Sequence, residues 1–383
     1  MRKWIAVLAC CGFAPIALGA ELPLIDVHIH YSQDAWQELS PKQAIATLRK
    51  AGLKRAVVSS SGDDGTLKLY AEAPDFIIPS LRPYRSRGEQ SSWLQDESVL
   101  AYLEDRLKNH RYAAFGEFHA YGSDADLPVM RQVVKWASQY KMYLHAHADA
   151  EAVQRLFAQD PKARVLWAHA GFESPDRVRE MLRRYPGLWA DLAFRSDPAI
   201  AGKVPASWRA AFEEFPDRFM LGTDTYTPER WHYVEEHADW ARRWLSSLPR
   251  ELAERIAYRN AEALLAQGAL ACTTDLPGVP VRSAQNTLVY RPSPAVIEVG
   301  RHFALDVTVC AQNASAEVDQ LSVDAHMPEH RHGMNYRPTV TRIGAGRFRV
   351  EGMMLHMPGR WELLFDVPGA SGTERIKIAL VLK

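Results

Sequence analysis

The sequence predicts an α/β protein in which a (β/α)8 TIM barrel is followed by a small all-β, immunoglobulin-like sandwich. Two observations predict this fold. From position 24 to about 267, eight short apolar runs alternate with amphipathic helical segments, as expected for parallel strands buried on both faces. Beyond position 267, short alternating runs are separated by turn residues, which is typical of an antiparallel sandwich.

The barrel prediction assigns one apolar run to each of its strands. The intervening segments read as helices; segment 41–51, for example, places its apolar residues on one side and is followed by Gly52 as a stop signal. The predicted barrel strands are 24–30, 55–61, 76–84, 112–120, 142–148, 164–171, 188–194 and 219–225. The predicted sandwich strands are 295–299, 303–311, 318–326, 339–343, 347–354, 359–366 and 375–381.

Residues 1–20 have the composition of a secretory signal peptide. Two basic residues precede an apolar stretch, and small residues follow it. A membrane anchor is disfavoured because the stretch is short and contains Pro15, and a weak lipoprotein box ends at Cys10. We therefore expect an exported protein, periplasmic or secreted, whose mature chain has no transmembrane span, with lipoprotein attachment as the alternative.

The mature chain divides into a barrel at 21–270, a Pro-rich linker at 271–294 and a sandwich at 295–383. Two of the four cysteines remain after removal of the signal peptide, Cys272 and Cys310. In an oxidising compartment they can pair. The alternative, which is the more common case for two scattered cysteines, is that each is a small buried apolar residue.

Composition excludes some classes of function. The chain has 383 residues, is 47% apolar and 24% charged, and carries a formal net charge of +0. Such a balance is ordinary for a globular protein and indicates no nucleic-acid-binding surface. We therefore expect a small-molecule substrate; the oligomeric state does not follow from the sequence.

A metal-ligand pair stands at the end of the first predicted strand. His28 and His30 are two residues apart, so their side chains point to the same side of a strand. In a barrel of parallel strands, the carboxyl ends meet on the face that carries the chemistry. The pair is therefore predicted to bind a metal ion, against the alternative of a chance surface pair.

Candidate ligands also end the fourth and fifth strands. Glu117 is placed to bridge two cations, the alternative being a solvated glutamate. His119, two residues further on, points to the same side of the strand and is a weaker candidate for substrate contact. On the fifth strand, His147 is the favoured ligand because it lies nearer the strand end than His145. His145 would then support the site from beneath, although the two assignments can be reversed.

The sixth and eighth strands each end in one more candidate. His169 is predicted to ligate a metal ion or to polarise a substrate carbonyl. Asp224 is predicted to ligate and to accept the proton of an attacking water. His169 and Asp224 are thus the predicted catalytic residues.

These residues, in this order, resemble the amidohydrolase superfamily, in particular its amidohydrolase-related, metal-dependent hydrolases. The resemblance covers about positions 24 to 267 and implies one or two divalent ions at the carboxyl face of the barrel. It also implies that His28, His30 and Asp224 hold the first ion, that His147 and His169 hold the second, and that Glu117 bridges them. Because Glu117 stands where related enzymes bridge with a modified lysine, no carbamate is expected. The residues that carry the resemblance are His28, His30, Glu117, His147, His169 and Asp224.

Imidazoles and carboxylates without thiolates suit zinc, or manganese as the alternative. Zinc lowers the pKa of its bound water to about 7. The sequence therefore predicts a hydrolase acting on an amide, ester, lactone or phosphoester bond. A metal-dependent, non-oxidative decarboxylase on the same barrel is the first alternative, and the carboxylate of Glu117 argues mildly against it.

Two arginines follow predicted barrel strands and are candidates for substrate binding. Arg82 follows the third strand and Arg195 the seventh. A guanidinium group can hold a carboxylate or phosphate through two parallel hydrogen bonds. The alternative is that each pairs with a nearby acid of the protein.

The sandwich segment is rich in histidine and methionine. Its Met327-Pro328 and His356-Met357-Pro358-Gly359 sequences resemble YtkA-like β-sandwich domains. Imidazole and thioether ligands suit copper, especially the reduced ion, so an exported copper-handling protein is a second alternative; otherwise the methionines pack the core and the histidines are solvated. The candidate copper ligands are His326, Met327, His330, His332, Met334, His356 and Met357.

Overall fold

The computed structural model describes residues 21–268, 278–311, 318–334, 336–344, 346–369 and 372–382. The predicted signal peptide and Cys272 lie outside these residues. Cys310 is described and is disulfide-bonded. None of the described helices is long and apolar enough to span a membrane.

Eight parallel strands pair in sequence order and form a TIM barrel. The barrel closes between its first and last strands, because the amide of Val27 donates to the carbonyl of Leu221 and the amide of Asp224 to the carbonyl of His28. The strands are β1 (Leu24–Ile29), β2 (Leu53–Val58), β3 (Ile77–Leu81), β4 (Ala114–Ala120), β5 (Tyr143–Ala148), β6 (Val165–Trp167), β7 (Leu188–Asp191) and β8 (Phe219–Met220).

Helices cover the barrel and bury one apolar side each. In α2, for example, Ala44, Ile45 and Leu48 are buried, and the Ser40 hydroxyl caps the first turn by accepting from the amide of Gln43. The α-helices are α1 (Gln33–Glu38), α2 (Pro41–Lys50), α3 (Asp64–Glu72), α4 (Ser98–Asn109), α5 (Pro128–Gln139), α6 (Ala150–Gln159), α7 (Pro175–Arg184), α8 (Ala206–Glu214), α9 (Pro228–Trp231), α10 (Val234–Leu245), α11 (Arg250–Glu254) and α12 (Asn260–Leu265), the last two joined by a π-helical turn at Arg255–Arg259.

The C-terminal part consists of two antiparallel sheets with strand orders β14-β15-β11-β10-β9 and β13-β12-β16-β17. Their facing side chains, among them Leu305, Phe348 and Trp361, form a hydrophobic core of their own. The strands are β9 (Val279–Arg282), β10 (Asn286–Ser293), β11 (His302–Ala311), β12 (Ser322–Met327), β13 (His332–Gly333), β14 (Thr339–Gly344), β15 (Arg347–Met354), β16 (Gly359–Gly369) and β17 (Gly372–Leu382).

The fold class is therefore confirmed, and individual elements differ from expectation. Strands β9 and β10 lie inside the segment 271–294 that was expected to be a linker, and they pair with the sandwich. Residues 295–299 were predicted to form a strand and do not. The domain limits themselves remain predictions.

All eight barrel strands are shorter than their predicted ranges, β6 and β8 most of all. Strand β6 ends at Trp167 because His169 takes a left-handed backbone conformation. Strand β8 ends at Met220, beyond which Thr225 forms an isolated bridge with Ile29. Both changes occur where the chain delivers candidate ligands to the barrel mouth.

Candidate functional site

The carboxyl ends of the barrel strands bring together all six residues proposed as ligands. The barrel itself buries His28, His30 and Glu117 almost completely, whereas the side chain of His147 is 23% exposed. The site is therefore closed at its floor and open at its mouth. The structure places each of these side chains, while its role as a ligand stays a prediction.

His28 forms the centre of the cluster. Its Nδ1 lies 3.2 Å from Asp191 Oδ2 and donates to it. This bond leaves Nε2 facing Glu117 Oε1 at 3.4 Å and Asp224 Oδ1 at 3.6 Å. The close approach of β1 to the chain after β8 requires Gly222, because a Cβ there would lie 2.8 Å from the His28 Cβ.

His30 repeats the arrangement two residues further along the chain. Its Nδ1 donates to the carbonyl of Ser59 at 2.6 Å. Its Nε2 then faces Glu117 Oε2 at 3.3 Å and Asp224 Oδ1 at 3.4 Å. The two imidazoles thus present the same nitrogen to the same two carboxylates.

His169 adds a third imidazole from the end of β6. Its Nδ1 donates to the carbonyl of Ala193 at 2.8 Å, and its Nε2 lies 3.5 Å from Glu117 Oε1. The backbone is left-handed at His169, Ala170, Gly171 and Phe172, with φ of 56°, 49°, 64° and 53°. Consecutive residues of this hand are costly for L-amino acids, so the surrounding packing must hold the turn.

Glu117 is the carboxylate that the imidazoles share. Its approach to β5 depends on Gly116, where φ is 110° and a Cβ would lie 2.1 Å from the His145 carbonyl oxygen. Asp224 is the second shared carboxylate, and it too has a left-handed backbone, with φ of 51°. The neighbouring Thr223 is tied to Asp26 through its amide at 3.1 Å and its hydroxyl at 2.6 Å.

The structure distinguishes the two histidines of β5. His147 Nδ1 lies 2.9 Å from Glu117 Oε1, inside the cluster. His145 Nε2 donates instead to Asp191 Oδ2 at 2.8 Å. This is the arrangement favoured from the sequence. His119 stacks on His147 with 4.2 Å between ring centroids and is held by Tyr84 and Gln90.

Asp191 is the residue that sequence reasoning missed. It is fully buried and accepts hydrogen bonds from His28 and His145 side chains through Oδ2 and from the amides of His169 and Ala193 through Oδ1. A signal existed, because Asp191 is the carboxylate that ends the apolar strand β7. Applying the strand-end rule to all eight strands would have found it.

The charges of the cluster are strongly coupled. Burial alone would lower the pKa of His28, but the carboxylates of Glu117, Asp191 and Asp224 raise it well above the usual range. Burial likewise opposes ionisation of Asp224, yet His28 holds the pKa of that carboxyl at about 2. A buried group of three carboxylates needs compensating positive charge, which the Arg82 guanidinium beside Glu117 and a proton on His28 supply.

These residues fit a divalent cation. The Nε2 atoms of His28 and His30 are buried and lack a hydrogen-bond partner among the described residues. They lie 3.3–3.6 Å from carboxylate oxygens. Ligand atoms of a tetrahedral zinc site with bonds of about 2.0–2.1 Å are about 3.3–3.4 Å apart. Histidine and carboxylate groups with this spacing could hold a metal ion.

The two candidate arginines are engaged by the protein itself. Arg82 is buried, and its Nη2 donates to Glu117 Oε2 at 2.7 Å while its Nε donates to the Glu117 carbonyl at 3.1 Å. Arg195 donates to Asp197 and to the carbonyls of His169 and Glu173. Both arginines thus pair with protein acceptors, and their role in substrate binding stays a prediction.

The candidate copper ligands of the sandwich are only partly together. His332 lies between His330 and His356, with ring centroids 5.9 Å and 5.1 Å away, and Trp361 is next to His332 and His356 at 5.8 Å and 5.5 Å. Met327 is buried in the sandwich core, and Met334 and Met357 pack against that core. His326 lies beside Glu362 at 3.6 Å. Within the described residues, all clusters of three or more histidine, cysteine or acidic ligand atoms belong to the barrel.

Comparison with known proteins agrees with this geometry. Residues 83–267 match the profile of the amidohydrolase family. This part of the barrel, which begins after β3, is therefore similar to that family. No curated protein matches the chain.

Solved structures show weaker similarity. An uncharacterized TIM-barrel protein from Bordetella bronchiseptica is 14% identical over 64% of this chain and 99% of its own, with a TM-score of 0.44. A β-aspartyl dipeptidase from Fervidobacterium islandicum is 14% identical over 64% of this chain and 72% of its own, with a TM-score of 0.43. These similarities are too low to transfer an activity.

Proposed function

We propose that the protein hydrolyses an amide, ester, lactone or phosphoester bond of a small molecule with the help of a divalent cation, zinc or alternatively manganese. One observation carries the proposal: the Nε2 atoms of His28 and His30 face both Glu117 and Asp224, and the Nε2 atom of His169 faces Glu117. Each Nδ1 is occupied by an acceptor of the protein, which fixes the tautomer that leaves Nε2 able to bind a metal.

The position of each residue in the candidate site indicates its role in the proposed reaction. When bound, such a cation supplies a Lewis acid and lowers the pKa of water to about 7. Asp224 stands at the rim of the cluster, is ionised at neutral pH and can accept the proton of the attacking water. His169 is fixed through Nδ1 and can orient the substrate carbonyl or phosphoryl oxygen. Glu117 and Asp191 hold the imidazoles in place.

The test is a screen of the full chain, loaded with zinc or with manganese, against activated esters, lactones, amides and phosphoesters. We expect turnover in one class, and we expect Asp224→Asn to reduce kcat by at least about 100-fold because the proton acceptor is lost. Asp217→Asn is the matched control, since Asp217 is an exposed acid that pairs with Arg218 away from the cluster. Absence of turnover with both metals would refute the proposal.

A decarboxylase on the same barrel is the rival enzyme. Metal analysis of the loaded protein separates the two in part, because two ions per chain favour hydrolysis whereas one ion leaves decarboxylation open. Release of carbon dioxide from small carboxylic acids, in a protein that hydrolyses nothing in the screen, would establish the rival.

Copper binding by the sandwich is a second candidate, favoured by the stack of His332 and His356 beside Trp361. Titration of the full chain with Cu(I) against a competing chelator tests it, with His332→Ala/His356→Ala as the variant and His302→Ala, an exposed histidine of β11, as the control. Binding weaker than about micromolar in the wild-type chain would remove this candidate.

We further propose that the protein is exported. The disulfide bond of Cys310 supports an oxidising compartment. Cell fractionation followed by N-terminal sequencing tests this, with cleavage near Ala20 as the expected result and a cytoplasmic full-length chain as the contrary one.

A further inference from the structure

The mouth of the candidate site is surrounded by exposed aromatic side chains. Tyr121, Phe172, Phe194 and Tyr226 are 47%, 53%, 52% and 37% exposed, although large apolar side chains are usually covered. They follow β4, β6, β7 and β8, so each stands at the carboxyl end of a different barrel strand. We call these four residues the aromatic rim.

Three residues of the aromatic rim lie beside the imidazoles of the candidate site, and the fourth, Tyr226, lies beside Phe194. Phe172 stacks on His169 with ring centroids 4.7 Å apart and lies 6.0 Å from His147. Tyr121 lies 6.1 Å from His147, and Phe194 lies 6.4 Å from His169. A molecule bound at the imidazoles would therefore touch these rings.

The backbone holds two of the rings in an unusual way. Phe172 and Phe194 have φ of 53° and 57°, values that bulky residues rarely adopt. Residues of this kind persist only where the surrounding structure determines them, and they are concentrated at functional sites. The surrounding structure therefore determines the backbone that presents Phe172 and Phe194 at the mouth.

Arg230 contacts the two remaining sides of the aromatic rim, at Phe194 and Tyr226. Its guanidinium carbon lies 4.9 Å from the ring centre of Phe194 and 5.6 Å from that of Tyr226. Its Nε and Nη2 donate to the carbonyls of Asp224 and Thr223 at 2.7 Å and 2.6 Å. With these bonds made, Arg230 fixes the two rings relative to the Asp224 loop.

We propose that the aromatic rim binds a planar unsaturated group of the substrate, next to the bond that is cleaved; the proposal rests on the hydrolytic function proposed above. Aromatic faces bind flat unsaturated groups through offset or edge contacts in addition to burying apolar surface. A ligand of this shape would cover rings that otherwise face water. A protein partner is a poorer fit, because the rings surround the candidate site and contact its imidazoles.

The proposal is tested with two probes that differ only in planarity, 2-naphthoate and decahydro-2-naphthoate, titrated into the zinc-loaded full chain by calorimetry. We expect 2-naphthoate to bind about tenfold more tightly, since each aromatic contact adds to simple burial. Equal affinities for the two probes would overturn the proposal.

Variants locate the effect. Phe172→Leu/Phe194→Leu keeps apolar side chains but removes two rings, and we expect it to abolish the preference for 2-naphthoate. Tyr121→Leu, at a residue with φ of −127°, serves as a second variant free of the left-handed backbone, and it should reduce the preference. Tyr336→Leu, an exposed tyrosine of the sandwich, is the control.

The outcomes separate this proposal from the hydrolytic one. The proposal for the aromatic rim is supported if the rim variants lose the preference for 2-naphthoate and the control variant keeps it. This holds even if no hydrolysis is found, in which case only the hydrolytic function is refuted. A preference that survives in both rim variants, measured in proteins with unchanged zinc content and melting temperature, refutes the rim.

Discussion

Asp191 illustrates how one side chain organises the candidate site. Its two oxygens take four hydrogen bonds, two from imidazoles and two from backbone amides at the mouth. Burial opposes the charge, but His28 and the bonds from His145 and His28 hold the pKa of Asp191 well below its usual range. The carboxylate is therefore ionised and orients His28 through Nδ1.

We predict that Asp191→Asn weakens zinc binding about 10- to 100-fold, because an acceptor that orients a ligating imidazole is replaced by a neutral amide. Competition with a chromogenic chelator measures the affinity. The control is Asp217→Asn, and equal zinc affinity in Asp191→Asn and the wild-type chain would contradict this role.

At this scale the sequence predicted the positions of the candidate ligands at the strand ends, but not the neighbouring groups that hold them. The strand-end positions of His28, His30 and Glu117 follow from strand periodicity and barrel symmetry. The engagement of Arg82 by Glu117 does not, because β3 and β4 bring the two together only after folding. No local sequence pattern predicts side-chain pairs that are this far apart in the chain.

At the scale of single elements, the start of α3 contains a buried acid apart from the candidate ligands. Asp63 precedes α3 and is fully buried; its Oδ2 accepts from the Tyr112 hydroxyl at 2.5 Å, while its Oδ1 has no hydrogen-bond partner among the described residues. Burial raises the pKa of Asp63 to about 7, against the lowering effects of Tyr112 and Arg106.

We predict that Asp63 makes the protein less stable as the pH rises. Because its pKa is raised in the folded state, its contribution to stability is fully present below about pH 4 and is lost as the pH rises through about 7. Asp63→Asn keeps an acceptor for Tyr112 without this titration. The free energy of unfolding of this variant in urea, relative to that of the wild type, should therefore increase between pH 5 and pH 8, by up to a few kcal/mol.

The neighbouring exposed acid provides the control for this prediction. Asp64 pairs with Arg106 and its side chain is 58% exposed, so Asp64→Asn should show no such gain. A constant difference between Asp63→Asn and wild type across this pH range would show that Asp63 does not titrate there.

Element boundaries failed where local chemistry overrides the apolar pattern. Segment 164–171 reads as one strand, yet the left-handed residues after Trp167 end it. The prolines of 271–294 suggested a linker, but Pro280 lies in β9, an edge strand, and an edge strand tolerates proline because one side needs no ladder bond.

In the part of the chain that the structure describes, the barrel and the sandwich have separate hydrophobic cores: two clusters in the barrel, around Trp244 and around Leu166, and one in the sandwich, around Trp361. This division follows from the sequence, whose change of pattern near position 267 matches the change from parallel to antiparallel sheets. Separate cores can unfold as separate cooperative units.

We predict two unfolding transitions in calorimetry, of which zinc raises only the one belonging to the barrel. A ligand that binds the folded state stabilises it by about 2.7 kcal/mol at 100 times its Kd. His28→Asn should abolish the shift and leave the other transition where it was. A single transition that moves as a whole would indicate that the two cores unfold together.

The reversed winding at His169–Phe172 has a consequence for heat resistance. The left-handed conformation costs each L-residue about 1–2 kcal/mol. Once nearby loops loosen, a return to right-handed backbone therefore lowers the free energy of this segment more than that of its neighbours. This change would move the His169 imidazole and the Phe172 ring away from the cavity together, while the barrel strands stay paired. We therefore expect catalysis to fade on warming several degrees before the barrel melts, as residual turnover measured beside a calorimetric trace would show.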